Sequence, residues 1–398
     1  MDIVIVGGGI GGLAFAGGLA RRNVNVRVIE RAPALREVGA GISLWPNAVR
    51  AVERLELTTA RAMLETLHVA PPRGAVRDIR GRCLATLDPH DIEKQAGARM
   101  LVVHRARLVE ALARELPEDA LRLGTSVTDL RPEGERVRVE LSDGAVLHAD
   151  VVFGADGLSS VTRAHVAPEV TPRYTGITSW RGIVRRSALG YTLEDPVWGT
   201  YLGDGREFGL LPLAHDEVYW FVTHRAPQGQ GPGTIATVQG ATHRDDVLHL
   251  VRRWCEPVQR GVATTNPDAI LRTDLFELPP LPRWHRGRIA LLGDAAHATS
   301  PHLGMGAAMA LEDAAWLCNT FDPQGDLGAW LTRYEAARKP RGERVVRASR
   351  TMARFLHVQN PIIVAARDTL LRWMPERARQ RQLAWLVEYD VQRALPGA

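Results

Sequence analysis

Gly7, Gly9 and Gly12 stand at G-x-G-x-x-G spacing directly after an apolar run from Met1 to Val6, and Glu30 follows eighteen residues after Gly12. That spacing suits a pyrophosphate. Gly7 permits a tight turn, Gly9 lets the backbone approach the phosphates, and Gly12 lets the next helix pack on the strand. A helix opening at Ile10 and Gly11 turns its partly positive end towards the phosphates. Glu30, with Arg31 beside it, closes a second strand over Val26–Ile29 and is placed to accept from ribose hydroxyls. An acid there favours an adenosine without a 2′-phosphate. The ligand is then NAD or FAD, and this motif alone does not choose.

A second group of residues chooses. Gly287 to His297 reads as a strand into Gly293-Asp294, and Pro301, Gly304, Met305 and Gly306 lead into Ala307–Ala314. Asp294 can accept from a ribityl hydroxyl. The glycines let backbone N–H groups face a ring edge that becomes anionic on reduction, and the helix starting near Gly306 adds its positive end. A nicotinamide needs no such feature, whereas a reduced flavin does, so FAD is the expected cofactor.

The elements that must position these residues read as follows. A strand, helix and strand precede a loop and a helix over Ala48–Leu55, and His104–Leu116 is an amphipathic helix with Leu108, Leu112 and Leu116 on one stripe. Val127–Leu130, Val137–Leu141 and Val146–Ala149 alternate as a β-meander with a Ser142-Asp143-Gly144 turn, and Val151–Phe153 runs into Gly154-Ala155-Asp156-Gly157. Ser179–Val184, Trp198–Leu202, Phe208–Leu213 and Val218–Thr223 form a separate, aromatic-rich sheet. Gln228–Gly233 reads as an exposed loop and Asp246–Cys255 as a helix; Ile289–Leu292 is the last buried strand, and the chain is mainly helical from Leu327.

Composition excludes several classes. The 398 residues are 45% apolar and 24% charged, ordinary for a globular protein of two or three domains. No run reaches a membrane span, and the first strand starts at once, so a cytoplasmic enzyme is expected. Cys83, Cys255 and Cys318 are far apart, expected to be buried, and form neither a metal site nor a redox pair. The net charge of +5 is arginine scattered among acids, with Lys94 and Lys339 the only lysines, so no nucleic-acid partner is expected. Arg341, Arg344, Arg347 and Arg350 fall at helical spacing and read as a solvated face.

Three motifs in order, Gly7–Gly12, Gly154–Gly157 with Ser159 and Arg163, and Gly293-Asp294 through Asp313, resemble those of the group A flavoprotein monooxygenases, the para-hydroxybenzoate hydroxylase family. The resemblance covers roughly residues 1 to 350. Gly39-Ala40-Gly41-Ile42, Trp45-Pro46-Asn47 and Trp180-Arg181-Gly182 are most similar to the branch of urate hydroxylase and 3-hydroxybenzoate 6-hydroxylase. It implies that NAD(P)H reduces FAD, and that a C4a-hydroperoxyflavin then inserts one oxygen atom of O₂ into an electron-rich aromatic or heteroaromatic substrate. It further implies that Arg105 contacts FAD, that the Val127 backbone meets adenine, and that Asp156 serves both FAD and NAD(P)H. The chain has Gly304-Met305-Gly306 where many members read Gly-Gln-Gly; the backbone amides remain, but the glutamine side chain is gone.

A phenolic substrate needs a base or proton relay. His302, between Pro301 and the Gly304 loop, is the first candidate, because that segment in the family passes the reactive edge of the ring. Arg181 is placed to pin a carboxylate or enolate oxygen. Tyr219 and Arg206 are further pocket candidates. His215 and His224 are expected at the surface, and His297 as a structural part of the flavin turn. Arg36 is a candidate for donor preference.

The expected architecture is α/β. A Rossmann-type FAD-binding domain (1–70, 98–172 and 270–345) carries the inserted meander, a β-sheet substrate domain spans 71–97 and 173–269, and C-terminal helices span 346–398. The partners are a small aromatic substrate and O₂, with the chain acting as a monomer or homodimer. The alternatives are an epoxidase or oxidative rearrangement enzyme of a natural-product pathway, and a non-catalytic FAD-binding redox protein.

Overall fold

The structure, a computed structural model, describes residues 1–35, 40–67, 73–229, 236–237 and 242–394. Arg36 and Gly39 lie outside them, as does part of the expected loop Gln228–Gly233.

A six-stranded sheet forms the first layer, in the spatial order His285–Arg286, Ile289–Leu291, Val151–Gly154, Asp2–Val6, Asn25–Ile29 and Leu121–Arg122. Every pair is parallel except the outermost, between His285–Arg286 and Ile289–Leu291. Ile3, Ile5, Val151, Val152 and Phe153 are buried on both faces, as a parallel sheet covered by helices demands. Helices Ile10–Ala20 and Gly306–Thr320 pack together over it. The meander Val127–Glu133, Arg136–Leu141 and Val146–Ala149 forms its own three-stranded sheet.

The second layer is an eight-stranded sheet in the order Ala236–Thr237, Leu271–Glu277, Arg173–Arg185, Glu217–Arg225, Arg206–Pro212, Gly199–Gly203, Gly74–Asp78 and Cys83–Leu87. Leu271–Glu277 belongs to this sheet although it falls within the 270–345 segment. One face buries Trp180, Phe208, Trp220 and Val222 under Val247, Val251, Trp254, Val258 and Val262. These come from two helices, Thr242–Val251 and Glu256–Ala263, and from Trp254 between them, where the sequence suggests one helix over Asp246–Cys255. Phe208 and Trp220 stack at 5.8 Å. The period-2 alternation of a strand sends the intervening residues, Arg181, Glu207, Tyr219, Phe221 and Thr223, to the opposite face.

That face meets the first layer. Gly41, in a two-stranded sheet of Gly41–Leu44 and Leu101–His104, packs on Tyr219: a Cβ there would lie 2.5 Å from the ring. At the other end, Thr223 Oγ1 lies 3.0 Å from Nε2 of His357, the residue that ends the long helix Leu327–Leu356.

Two expectations need correction. The arginine-rich stretch is not a solvated face throughout. Arg338 is fully buried between Glu312 and Asp313, and Arg341 binds Glu312 through two nitrogens, each at 2.7 Å, because two acids on a buried helix must have cationic partners. Cys83 is exposed, since its position on the edge strand Cys83–Leu87 points it outward; Cys318 is buried.

Candidate functional site

The glycine turn after Val6 is dictated by contacts. Gly7 has φ +107°, and a Cβ on it would lie 2.4 Å from the Ala155 carbonyl oxygen. A Cβ on Gly12 would lie 2.1 Å from the Gly7 carbonyl oxygen. Gly9 differs: a Cβ there would meet nothing within 4 Å, and as N-cap of Ile10–Ala20 it gives the first turn no side-chain cap. The open space at Gly9, with the uncapped first-turn amides after it, thus suits an external anion. Glu30 accepts from the Gly8 amide at 2.6 Å and the Ala32 amide at 2.8 Å, which holds its carboxylate at the mouth of the turn. Arg31 is exposed beside it. Val127 starts its strand close by, since the Thr125 amide donates to the Glu30 carbonyl at 3.0 Å.

Asp156 is committed to its own loop. It accepts from Ser160 Oγ at 2.5 Å and from the Thr162 amide and hydroxyl, each at 3.0 Å. Arg163, in the same motif, donates to the Leu158 carbonyl at 2.6 Å and the Ala295 carbonyl at 3.3 Å, tying the second motif to the third.

In the third motif Asp294 is exposed while Ala295, Ala296 and His297 after it are buried. It stands at the head of Gly306–Thr320: a Cβ on Gly306 would lie 3.9 Å from its Oδ1. Gly304 has φ +63° and sits against Trp45, whose indole donates to the Leu303 carbonyl at 3.1 Å. The Met305 side chain is buried in the core, so only its backbone can serve a ligand. Arg105 heads its helix, with its amide donating to the Ala40 carbonyl at 2.9 Å. Burial pushes its guanidinium down to about 10; Arg181 lowers it further and Asp294 opposes this. Arg105 is thus within electrostatic reach of Arg181 and Asp294, which come from distant parts of the chain.

The two catalytic candidates fare differently. Arg181 lies on the pocket face, with Nη2 3.4 Å from Thr273 Oγ1 and a buried Nε that has no protein partner. His302 has both ring nitrogens buried and unpartnered, in edge contact with His357 at 5.0 Å between ring centres. Burial, with His357 adding to it, pushes His302 down to about 3. It is neutral near pH 7, the form in which an imidazole accepts a proton, and burial makes it a weak base. Pro301, beside it, is exposed. Tyr219 lies on the pocket face, and burial raises its phenol. Arg206 does not line the site: Glu207 takes the pocket face, and Arg206 pairs with Asp204 at 3.8 Å. His224 is not a free surface residue; its Nε2 accepts the Trp180 indole N–H at 3.2 Å, whereas His215 is exposed. Sequence reasoning missed Glu207, Thr223 and His357; the first two alternate with aromatic residues on neighbouring strands, and that was their only signal.

Among the described residues there is no three-residue cluster of metal-ligand type, and no helix is long and apolar enough to cross a membrane. The open anion cradle at Gly9, the uncapped first turn, the outward Asp294 and the unpartnered His302 nitrogens fit FAD.

This fold and site define an FAD-dependent monooxygenase. The chain belongs to the FAD-binding-domain family, whose model matches residues 1–349. It is 36% identical to an aurachin C monooxygenase/isomerase from Stigmatella aurantiaca, over 94% of both chains. It is 31% identical to an FAD-dependent urate hydroxylase from Mycolicibacterium vanbaalenii, over 94% of this chain and 92% of that one. The crystal structure of Klebsiella pneumoniae HpxO complexed with FAD and uric acid superposes with a TM-score of 0.87 at 29% identity, covering 97% of this chain and 96% of that one. FAD is the cofactor and NAD(P)H the reductant usual in this family.

Proposed function

We propose that this enzyme oxygenates a flat heteroaromatic ring held against the Arg181, Phe221 and Tyr219 face of the eight-stranded sheet. The observation that carries the reading is Arg181, on the sheet face opposite the aromatic core with a buried Nε that has no protein partner, and within electrostatic reach of Arg105. Bound FAD, reduced by NAD(P)H, supplies the activated oxygen. The chain does the rest. Gly7, Gly9, Ile10, Gly11 and Gly12 hold the pyrophosphate. Glu30 and Arg31 face the ribose, and the Val127 backbone faces adenine. Asp156 keeps the second motif in shape, Asp294 receives a ribityl hydroxyl, and the Gly304, Met305 and Gly306 backbone faces the ring. Arg181 neutralises an oxygen on the substrate, which favours its electron-rich form. The aromatic floor and Tyr219 exclude water.

A second reading, oxygenation coupled to rearrangement, is favoured by the 36% identity to an aurachin C monooxygenase/isomerase. One assay separates the two. Purified yellow protein is screened for ligand-stimulated NAD(P)H oxidation against urate, hydroxybenzoates and 4-hydroxyquinolines, with peroxide and product mass followed. A product heavier by one oxygen atom supports the proposal, and its carbon skeleton distinguishes hydroxylation from rearrangement. Ligand-stimulated oxidation giving only peroxide across the panel overturns it.

A further inference from the structure

Glu207 is 7% exposed, on the pocket face of the strand Arg206–Pro212. Its cross-strand neighbour Thr223 offers a hydroxyl 3.4 Å from its Oε2. Beyond Thr223 stands His357, with Nε2 3.0 Å from the Thr223 oxygen. The groups facing Glu207 are few. Tyr219 and Thr223 face it from the next strand and His357 from the end of the long helix, with His302 behind. Arg206 is occupied by Asp204 and Asp78 by Arg82. No cation is paired with Glu207 among the described residues, and buried acids are seldom kept without a partner.

The hydrogen positions of this trio follow from chemistry. His357 Nδ1 is 2.9 Å from the Ala353 carbonyl, which can only accept, so Nδ1 carries the proton. Burial keeps the imidazole neutral, and its Nε2 is then an acceptor. The single Thr223 proton can go to His357 or to Glu207, not both. It goes to His357 when Glu207 is protonated and itself donates to Thr223; it turns to Glu207 when the carboxylate is ionised. The trio therefore accommodates both states of the acid, and burial lifts Glu207 to about 7.

Arg181 sits on the same face two strands away, in the row of Phe221 and Gly209. Standard strand spacings put its Cα about 12 Å from that of Glu207. Phe221 covers Gly209 between them, where a Cβ would lie 2.1 Å from the ring. A flat ring on this floor has a cation at one end and an acid at the other.

Resting on the monooxygenase reading above, we propose that Glu207 takes an N–H or O–H proton from the substrate, and that the substrate is an uncharged ring of the 4-hydroxyquinoline (vinylogous amide) class rather than a benzoate. In that step the ring's N–H bond breaks, an O–H bond forms on Glu207, and the electron pair stays on the ring. The new charge spreads to the ring oxygen, facing Arg181, and to the carbon beside the carbonyl, which becomes the nucleophile. No electron passes to the protein. The benzoate salicylate carries its carboxylate and hydroxyl side by side, so with the carboxylate on Arg181 it brings no proton to Glu207.

The test uses the FAD-loaded protein with 4-hydroxyquinoline and salicylate as probes, read first by ultraviolet difference spectra without reductant. Expected is tighter binding of the quinoline by tenfold or more, with its anion spectrum emerging at lower pH than in water. Glu207→Gln should still bind the quinoline within a few-fold and retain FAD, but lose the anion spectrum. Its turnover should fall about 10²–10⁴-fold. Thr223→Val removes the hydrogen bond that holds Glu207 down, so the rise of kcat/KM with pH should move to higher pH. An anion spectrum or pH profile unchanged in Glu207→Gln overturns the proposal. So does tighter binding of salicylate, or no quinoline spectrum at its solubility limit. Because binding is read without turnover, an inactive but normally ionising complex would count against the monooxygenase reading alone.

Discussion

His297 Nε2 lies 2.6 Å from Asp313 Oδ2, with both side chains buried. The same oxygen accepts the Gly293 amide at 3.0 Å, and Oδ1 accepts from Arg338 Nε at 2.8 Å. One carboxylate thus fastens the Gly293-Asp294 turn, the helix Gly306–Thr320 that carries it, and the long C-terminal helix. Glu312, next to it, accepts from Asn47 at 2.6 Å and brings in the segment beside Trp45. The ion network is the frame on which the Gly293-Asp294 turn and the Trp45-Pro46-Asn47 segment are hung.

Asp313→Asn should therefore weaken both the fold and the cofactor site. Removing one member of a buried charge network leaves the others uncompensated, at a cost of about 3–5 kcal/mol. Thermal melts should show the loss, and the ratio of flavin to protein absorbance should fall with it, because Gly293 and Asp294 lose their anchor. A variant with parental melting temperature and full flavin would remove the network from this role.

The same network sets an acid limit. Burial raises Asp313 and Glu312, but His297 and Arg338 for the first, and Arg341 and Arg338 for the second, outweigh it, so both end below their ordinary 3.8 and 4.5. A depressed carboxyl contributes stability above its unfolded value, and that stability is lost as pH falls through the folded value. The stability gap between the parent and Asp313→Asn should hold from pH 7 to 5 and narrow progressively below about pH 4. Urea titrations at these pH values measure it; a gap that does not begin to shrink below about pH 4 would contradict the assignment.

Gly9 and Gly12 make a matched pair of tests. Gly12→Ala puts a methyl 2.1 Å from the Gly7 oxygen, against backbone that cannot yield cheaply, so the fold should lose about 1–3 kcal/mol or more. Gly9→Ala points its methyl into open space. Its melting temperature without FAD should match the parent, while its FAD dissociation constant rises, as the proposed placement of the pyrophosphate there requires. Equal FAD affinity in Gly9→Ala and parent would move the pyrophosphate elsewhere.

What is readable in the chain follows from local rules. Gly7 and Gly12 are contact-limited, and any side chain at either position collides with backbone. Glu30 sits at the end of a strand whose alternation is plain. Glu207 is not readable, because a one-residue error in strand parity exchanges it with Arg206, and Arg206-Glu207 offers a charge on either face. Arg338 and Arg341 look like surface charge until the helix carrying Glu312 and Asp313 is placed against them. Leu271–Glu277 joins a sheet whose partner strand begins about a hundred residues earlier, at Arg173, and no local pattern announces that pairing.

His302 supplies a test in which stability and catalysis separate. Its imidazole falls to about 3 in the folded chain against an ordinary 6.5, because burial and His357 both disfavour the cation. The unfolded chain binds a proton between those values and the folded chain does not, so this residue costs stability as pH drops below 6.5. The slope is at most about 1.4 kcal/mol per pH unit. His302→Ala removes that term, so the parent should lose stability relative to the variant between pH 7 and pH 5, as melts of the FAD-free proteins would show. In turnover, an imidazole neutral throughout that range contributes no ionisation to the pH profile. His302→Ala should keep the parental profile while raising KM or peroxide release, since two buried hydrogen-bonding nitrogens without a protein partner are lost. A lost ionisation near pH 6–7 in the variant would instead return His302 to the role of base.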